Sequence, residues 1–215
     1  MAIPNKTISQ FKTQLAGGGA RPNLFEVQIP AFPENIQNSW GKETEAKDFT
    51  FFAKATALPA QNVAAIDVPF RGRTFKVAGD RTIDNWTVTI INDEKFNLRN
   101  AFEAWTELIA KLDNNMGATN PGSYMVDAYV YQLGRGEGSA LKEGSNRTNA
   151  GENNAVLKAY QFVDIFPITV GDIALSYDTG DTIEEFDVEF AVQSIRRSNA
   201  GALGSGISAA NANQG

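Results

Sequence analysis

Apolar residues in this chain recur mainly at every second position, in short runs punctuated by Gly, Pro, Asn and Asp. That is the pattern of half-buried strands joined by turns. Its centre is residues 66–94, IDVPFRGRTFKVAGDRTIDNWTVTIINDE. Ile66-Asp67-Val68 alternates by twos, and Pro69, lacking an N–H, keeps this strand out of the middle of a sheet. A two-residue turn at Gly72-Arg73 predicts a short hairpin with Phe70 opposite Phe75 and Val68 opposite Val77. Ala78-Gly79-Asp80 reads as a connection. Trp86, Val88 and Ile90 then alternate with Thr87, Thr89 and Ile91 as a half-buried strand.

Further strands are predicted at Leu24–Ile29, closed by Pro30, and at Phe49–Ala55, with Phe49, Phe51 and Ala53 on one face and Phe52 on the other. Tyr124–Leu133 and Val156–Phe166 follow, the latter broken by Pro167. Ile173–Tyr177 and Glu184–Ile195 read as a hairpin around Asp178-Thr179-Gly180-Asp181. In its second strand Phe186, Val188, Phe190 and Val192 face one way and Glu185, Asp187 and Glu189 the other. One helix is predicted, Lys95–Leu112, capped by Asn92 or Asp93 and ended by Asn114, Asn115 and Gly117. Its buried stripe is Leu98, Phe102, Trp105, Ile109 and Leu112, and Arg99/Glu103 and Glu107/Lys111 pair on its outer side. The class is mainly β: a β-sandwich or barrel of about eight strands with one packed α-helix.

The 215 residues suit a single domain, 1–215. Within it, residues 1–21 form an N-terminal arm with a Gly17-Gly18-Gly19 hinge, in which Phe11 and Leu15 suit a short amphipathic turn. Residues 31–47 are an irregular connection holding Trp40. Residues 134–154 are a Gly- and Asn-rich inserted loop, and 198–215 a low-complexity tail.

Composition removes whole classes of chemistry. With no cysteine and no histidine, there are no disulfides, no thiolate or imidazole metal sites, and no Ser-His-Asp or Cys-His catalysis. The net charge of −6 argues against a surface that grips nucleic acid. No apolar run reaches membrane-spanning length, so no membrane binding is expected. MAIPNKTISQFK lacks the apolar core of a signal peptide, so export by that route is not expected. Asp178-Thr179-Gly180 matches the aspartic-protease triplet but is also ordinary turn chemistry between strands, and is read as a turn. The acids at 178–189 lack the EF-hand pattern of a calcium loop. Gly134-Arg135-Gly136 lacks the rest of a phosphate loop. No catalytic residue, metal ligand or cofactor is predicted.

KVAGDRTIDNWTVTIINDE (76–94) resembles the signature of tail-tube proteins from contractile-tailed, myovirus-type bacteriophages. ARPNLFEVQI (20–29), KATALPA (54–60) and FPITVGDIALSYD (166–178) are similar to the same family, in its order. The resemblance implies a structural, non-enzymatic virion protein, assembled in the host cytoplasm. Hexameric rings would stack into the inner tube through which phage DNA is ejected. It implies as partners other copies of the chain, the tail sheath protein, baseplate and tail-terminator proteins, and the tape-measure protein and double-stranded DNA, held non-specifically in the lumen. The alternatives are the tube of a related contractile secretion or bacteriocin-like machine and, from another class, a carbohydrate-binding β-sandwich, for which Trp40 is the one candidate. The family joins subunits through the segment around the central hairpin. Val68, Phe70, Arg71, Arg73, Lys76, Asp80 and Arg81 are therefore the candidate inter-subunit residues. Glu185, Asp187 and Glu189 are candidates to face the lumen.

Overall fold

Two neighbouring antiparallel strands organise the core. Trp86, Val88 and Ile90 of one and Phe186, Val188 and Phe190 of the other are buried, and the residues between them are half-buried or exposed. The period-two pattern thus becomes one wet and one dry face, as strand geometry requires. The computed structural model describes residues 7–14, 19–34, 36, 44–137, 154–178 and 180–199. In chain order the elements are α1 (Ile8–Gln14), β1 (Phe25–Gln28), α2 (Thr44–Phe52), β2 (Ala53–Thr56), β3 (Gln61–Phe70), β4 (Arg73–Ile83), β5 (Trp86–Ile91), α3 (Asn97–Ile109), β6 (Val126–Glu137), β7 (Asn154–Val170), β8 (Glu185–Ala191) and β9 (Ser194–Asn199). A seven-stranded sheet runs β1-β6-β7-β8-β5-β2, with β9 pairing β7, and β3 and β4 make a separate two-stranded sheet. The mainly-β class holds. The sheet of this single chain is open rather than closed into a barrel, with β1 and β2 ending its strand order.

Backbone contacts divide the chain into two compact units. The first comprises Met1–Glu26, Val130–Tyr160 and Arg197–Gly215. Here Thr7 and Gln10 cap α1 reciprocally: Thr7 Oγ1 accepts from the Gln10 amide at 3.3 Å, and Gln10 Oε1 from the Thr7 amide at 3.2 Å. The Leu133 amide donates to Leu24 O at 2.9 Å. The second unit comprises Val27–Tyr129 and Gln161–Arg196 and holds an aromatic core. Phe102 on α3 meets Phe32 at 5.5 Å, Phe49 at 6.0 Å and Phe190 at 5.9 Å, all edge-on, the arrangement ring quadrupoles favour. The two buried indoles are satisfied: Trp86 Nε1 donates to Thr56 Oγ1 at 2.7 Å and Trp105 Nε1 to Tyr124 O at 2.8 Å.

Several segments differ from their sequence expectation, among them Glu184–Ile195, which is two strands, β8 and β9, with β9 leaving to pair β7. Phe49–Ala55 is mostly helix, because TEAKD before it favours helix and i,i+3 spacing puts Phe49 against Phe102 while leaving Phe51 exposed. The helix α3 is shorter than predicted: Ala110 is extended and Leu112, expected in the stripe, is fully exposed. Its N-cap is Phe96, in the left-handed region and without a side-chain cap, rather than Asn92 or Asp93, because the helix starts two residues later than predicted. Asp93 Oδ1 still accepts from the Asn97 amide at 3.0 Å, and Arg99 pairs with Glu103 at 2.6 Å. Strand β7 continues through Pro167, because Ile168 is an extra residue beside it and the missing N–H falls at this bulge. Residues 173–177 are not a strand at all. The inserted loop beyond residue 137, Trp40, and the tail from residue 200 lie outside the described residues.

Candidate assembly surfaces

The central hairpin is longer than the sequence suggests and its turn sits one residue earlier. Arg71 and Gly72 occupy the turn with φ of +46° and +81°, both positive as a type I′ turn requires, rather than Gly72-Arg73. That turn twists with the strands, and Gly72 takes the second left-handed position without a Cβ penalty. The register therefore pairs Val68 with Phe75 and Ile66 with Val77, and Phe70 with Arg73. A shift by two residues preserves the faces. Ala78-Gly79-Asp80 is no connection but part of β4, where Gly79 and Asp80 together oppose Ala64 in a bulge. A Cβ on Gly79 would sit 3.0 Å from Ile66 Cγ1, so a larger residue there would need the Ile66 side chain to give by a few tenths of an ångström.

One face of this arm is apolar and open. Ile66, Val68, Phe70, Phe75 and Val77 lie together on it, with Phe70 at 67% and Phe75 at 66% exposure. Arg73 joins that face beside Phe70, and Arg71 lies 5.5 Å over the Phe70 ring. Lys76 pairs with Asp67 on the opposite face at 3.6 Å, and Arg81 donates to Gln61 Oε1. Asp80 is exposed at the bulge. The seven predicted residues are thus gathered on one arm, but only Val68, Phe70 and Arg73 share its apolar face. Ile66 and Val77, which the alternation and pairing in the sequence already put on the face of Val68, extend that face although neither was among the candidate residues.

The second surface is the outer side of β5 and β8. Glu185, Asp187 and Glu189 all lie on it, opposite the core, and each is held by a neighbour. Lys54 Nζ contacts Glu185 Oε1, Thr89 Oγ1 donates to Asp187 Oδ1 at 2.6 Å, and Asn85 Nδ2 donates to Glu189 Oε1 at 2.8 Å. Among the described residues no three acids converge closely enough to hold a metal ion.

Two further features escaped the sequence reading. An open groove of about 570 Å³ is lined by Phe32, Pro33, Glu34, Met125, Asp127 and Tyr129, among others. Between β7 and β8, Leu175, Tyr177 and Ile183 are largely exposed on an irregular segment, although the alternation through Ile173–Tyr177 suggested a strand. Its ends are pinned: the Gly171 amide donates to Asp187 O at 2.7 Å and the Asn92 amide to Glu184 O at 2.9 Å.

The fold, an open antiparallel sheet packed on one long helix with a separate two-stranded hairpin, is shared with solved structures. The chain aligns with a solved structure described as the six-fold symmetrised anti-feeding prophage baseplate at a TM-score of 0.56, 9% identity, 85% of this chain and 97% of that one. It aligns with the sheath–tube complex of the extracellular contractile injection system PVC in its extended state at 0.53, 12% identity, 91% and 99%. The family described as "Phage tail tube protein" matches residues 20–196, and the chain belongs to it. It is similar to the tail tube protein gp19 of Enterobacteria phage T4, 34% identical over 177 residues, 82% of this chain and 91% of that protein. The chain is accordingly a structural component of a myovirus-type phage tail.

Proposed function

We propose that copies of this chain assemble into hexameric rings that stack into the inner tail tube, the conduit for DNA ejection, and that it catalyses no reaction. Other copies are its main partner. Sheath, baseplate and terminator proteins bound its outside and ends, and the tape-measure protein and then double-stranded DNA pass through the lumen without specific binding. All 215 residues act as one tail-tube domain, with the 1–21 arm, the 134–154 loop and the 198–215 tail as appendages.

The observation that carries this reading is the apolar face of the β3–β4 arm, which a solitary protein would not leave in water. Docked on a neighbouring copy it becomes a joint, with Val68, Phe70, Arg71, Arg73, Lys76, Asp80 and Arg81 at or beside the contact. Glu185, Asp187 and Glu189 face the lumen. Six subunits of charge −6 give 6 × −6 = −36 per ring, and an acidic bore repels a sliding polyanion rather than holding it. Negative-stain imaging of the purified full chain tests the reading. Hollow tubes or six-fold rings are expected; a uniform population of monomers at every concentration would overturn it. A bore lined by Lys and Arg would overturn the lumen assignment alone.

A further inference from the structure

We infer that the irregular segment between Gly171 and Glu184 is the socket that receives the β3–β4 arm of a second copy of this chain. The inference rests on the reading that the arm joins subunits, and names the surface it meets.

The two surfaces are complementary in both chemistry and charge. The arm offers Ile66, Val68, Phe70, Phe75 and Val77 as an exposed apolar strip. The segment offers Leu175, Tyr177 and Ile183, also largely exposed. Apolar side chains of this size on a surface mark a place where another surface belongs. Beside its strip the arm carries Arg71 and Arg73, neither of which makes an ion pair among the described residues. Its remaining cations are engaged, Lys76 with Asp67 and Arg81 with Gln61. The segment carries Asp172, Asp178 and Asp181, all exposed, and no Lys or Arg occurs from Gly171 to Ile195. Two guanidinium groups at an apolar tip thus match carboxylates placed around apolar residues, an arrangement that fixes register and speeds encounter.

The architecture suits a receptor. Both ends of the segment are tied down, Gly171 to β8 through Asp187 and to α3 through Arg99, and Glu184 to Asn92 just past β5. A Cβ at Gly171 would sit 2.8 Å from Asp187 O, so the chain leaves the sheet there in close contact with it. A platform with fixed ends presents its middle without a large ordering cost on binding. Arm and socket are different patches of one chain, so each copy both gives and receives. Such heterologous contacts propagate, as a tube requires, instead of closing into a dimer.

The natural absence of cysteine makes the contact directly testable. Full-length Phe70→Cys and Tyr177→Cys proteins are mixed, co-assembled and oxidised, then run without reducing agent. A disulfide-linked dimer that forms only in the mixture, and only under conditions where tubes form, is the expected result. Tubes without that dimer would overturn the socket while leaving the arm's role in assembly intact. Capture of Phe70→Cys by Glu34→Cys instead would move the socket to the groove beside Phe32 and also overturn it. If the cysteine variants do not assemble, charge reversal decides. Arg71→Glu/Arg73→Glu and Asp178→Arg/Asp181→Arg should each slow assembly about tenfold or more, and the fourfold variant should recover most of the rate. No recovery in the fourfold variant, with its monomer folded by circular dichroism, would overturn the pairing.

Discussion

Truncating Phe70 to alanine separates what holds the subunit together from what holds the tube together. Phe70 is 67% exposed near the turn of a hairpin that pairs with no other strand. Its removal should therefore leave the monomer within about 0.5 kcal/mol of the parent, as surface substitutions do. If the arm docks on a neighbouring copy as proposed, the same ring becomes buried in the tube. A phenylalanine presents about 200 Å² of surface, so two-thirds exposure leaves about 130 Å² to cover. At about 25 cal/mol per Å² that is about 3 kcal/mol per joint. At 1.4 kcal/mol per decade the ceiling is about two orders of magnitude in the equilibrium for adding a subunit. Part of that gain is offset by the cost of immobilising the arm, so a tenfold rise is the minimum expected. The assay is the critical concentration, from the protein left in the supernatant after pelleting tubes, beside a urea titration of the monomer. An unchanged critical concentration with tubes of parental geometry would refute burial of Phe70. A fall in the monomer's urea midpoint would refute the claim that the arm stands apart from the core.

Arg71→Glu/Arg73→Glu should slow polymerisation, read by light scattering, while circular dichroism stays parental; added salt should slow the parent in the same direction by screening. Phe102→Ala, at the centre of the aromatic core, should lower unfolding free energy by about 3–5 kcal/mol, read from the urea midpoint at constant m. Gly171→Ala forces a methyl group to within 2.8 Å of the Asp187 carbonyl oxygen, and that backbone must shift. Thermal or urea unfolding should show a loss of about 1–3 kcal/mol, the range for overpacked sites.

Where side-chain period and burial coincide, the fold was legible in the sequence. Trp86/Val88/Ile90 and Phe186/Val188/Phe190 read as one-sided strands and are so, because the sheet is dry on one face only. Leu98, Phe102 and Trp105 read as a helical stripe for the same reason. The errors fell where local pattern and tertiary context diverge. Phe49, Phe51 and Phe52 alternate well enough for a strand, yet a nearby aromatic core selects Phe49 by helical spacing. The arm's faces were recoverable but its register was not, since Gly72 serves either turn type and nothing buried breaks the tie. The acids of β8 were placed on the correct face. Their tethering by Lys54, Thr89 and Asn85 was invisible, because those partners lie about a hundred residues or more away in sequence. Ile173–Tyr177 shows the converse: alternation without a strand neighbour makes no strand.

The solitary pairing of β3 with β4 bears on when tubes form. A hairpin exposed on both faces is marginal in water, so in a free subunit the arm opens and closes at little cost. Ordering its backbone costs about 1–2 kcal/mol per residue that was loose, and two free subunits meeting gain only a single joint in return. At a growing end the recipient is already in place and only the incoming arm has to settle. Nucleation is thereby penalised more than elongation. The expected consequence is a lag: free subunits of the purified chain begin tubes slowly, and added tube ends shorten the wait.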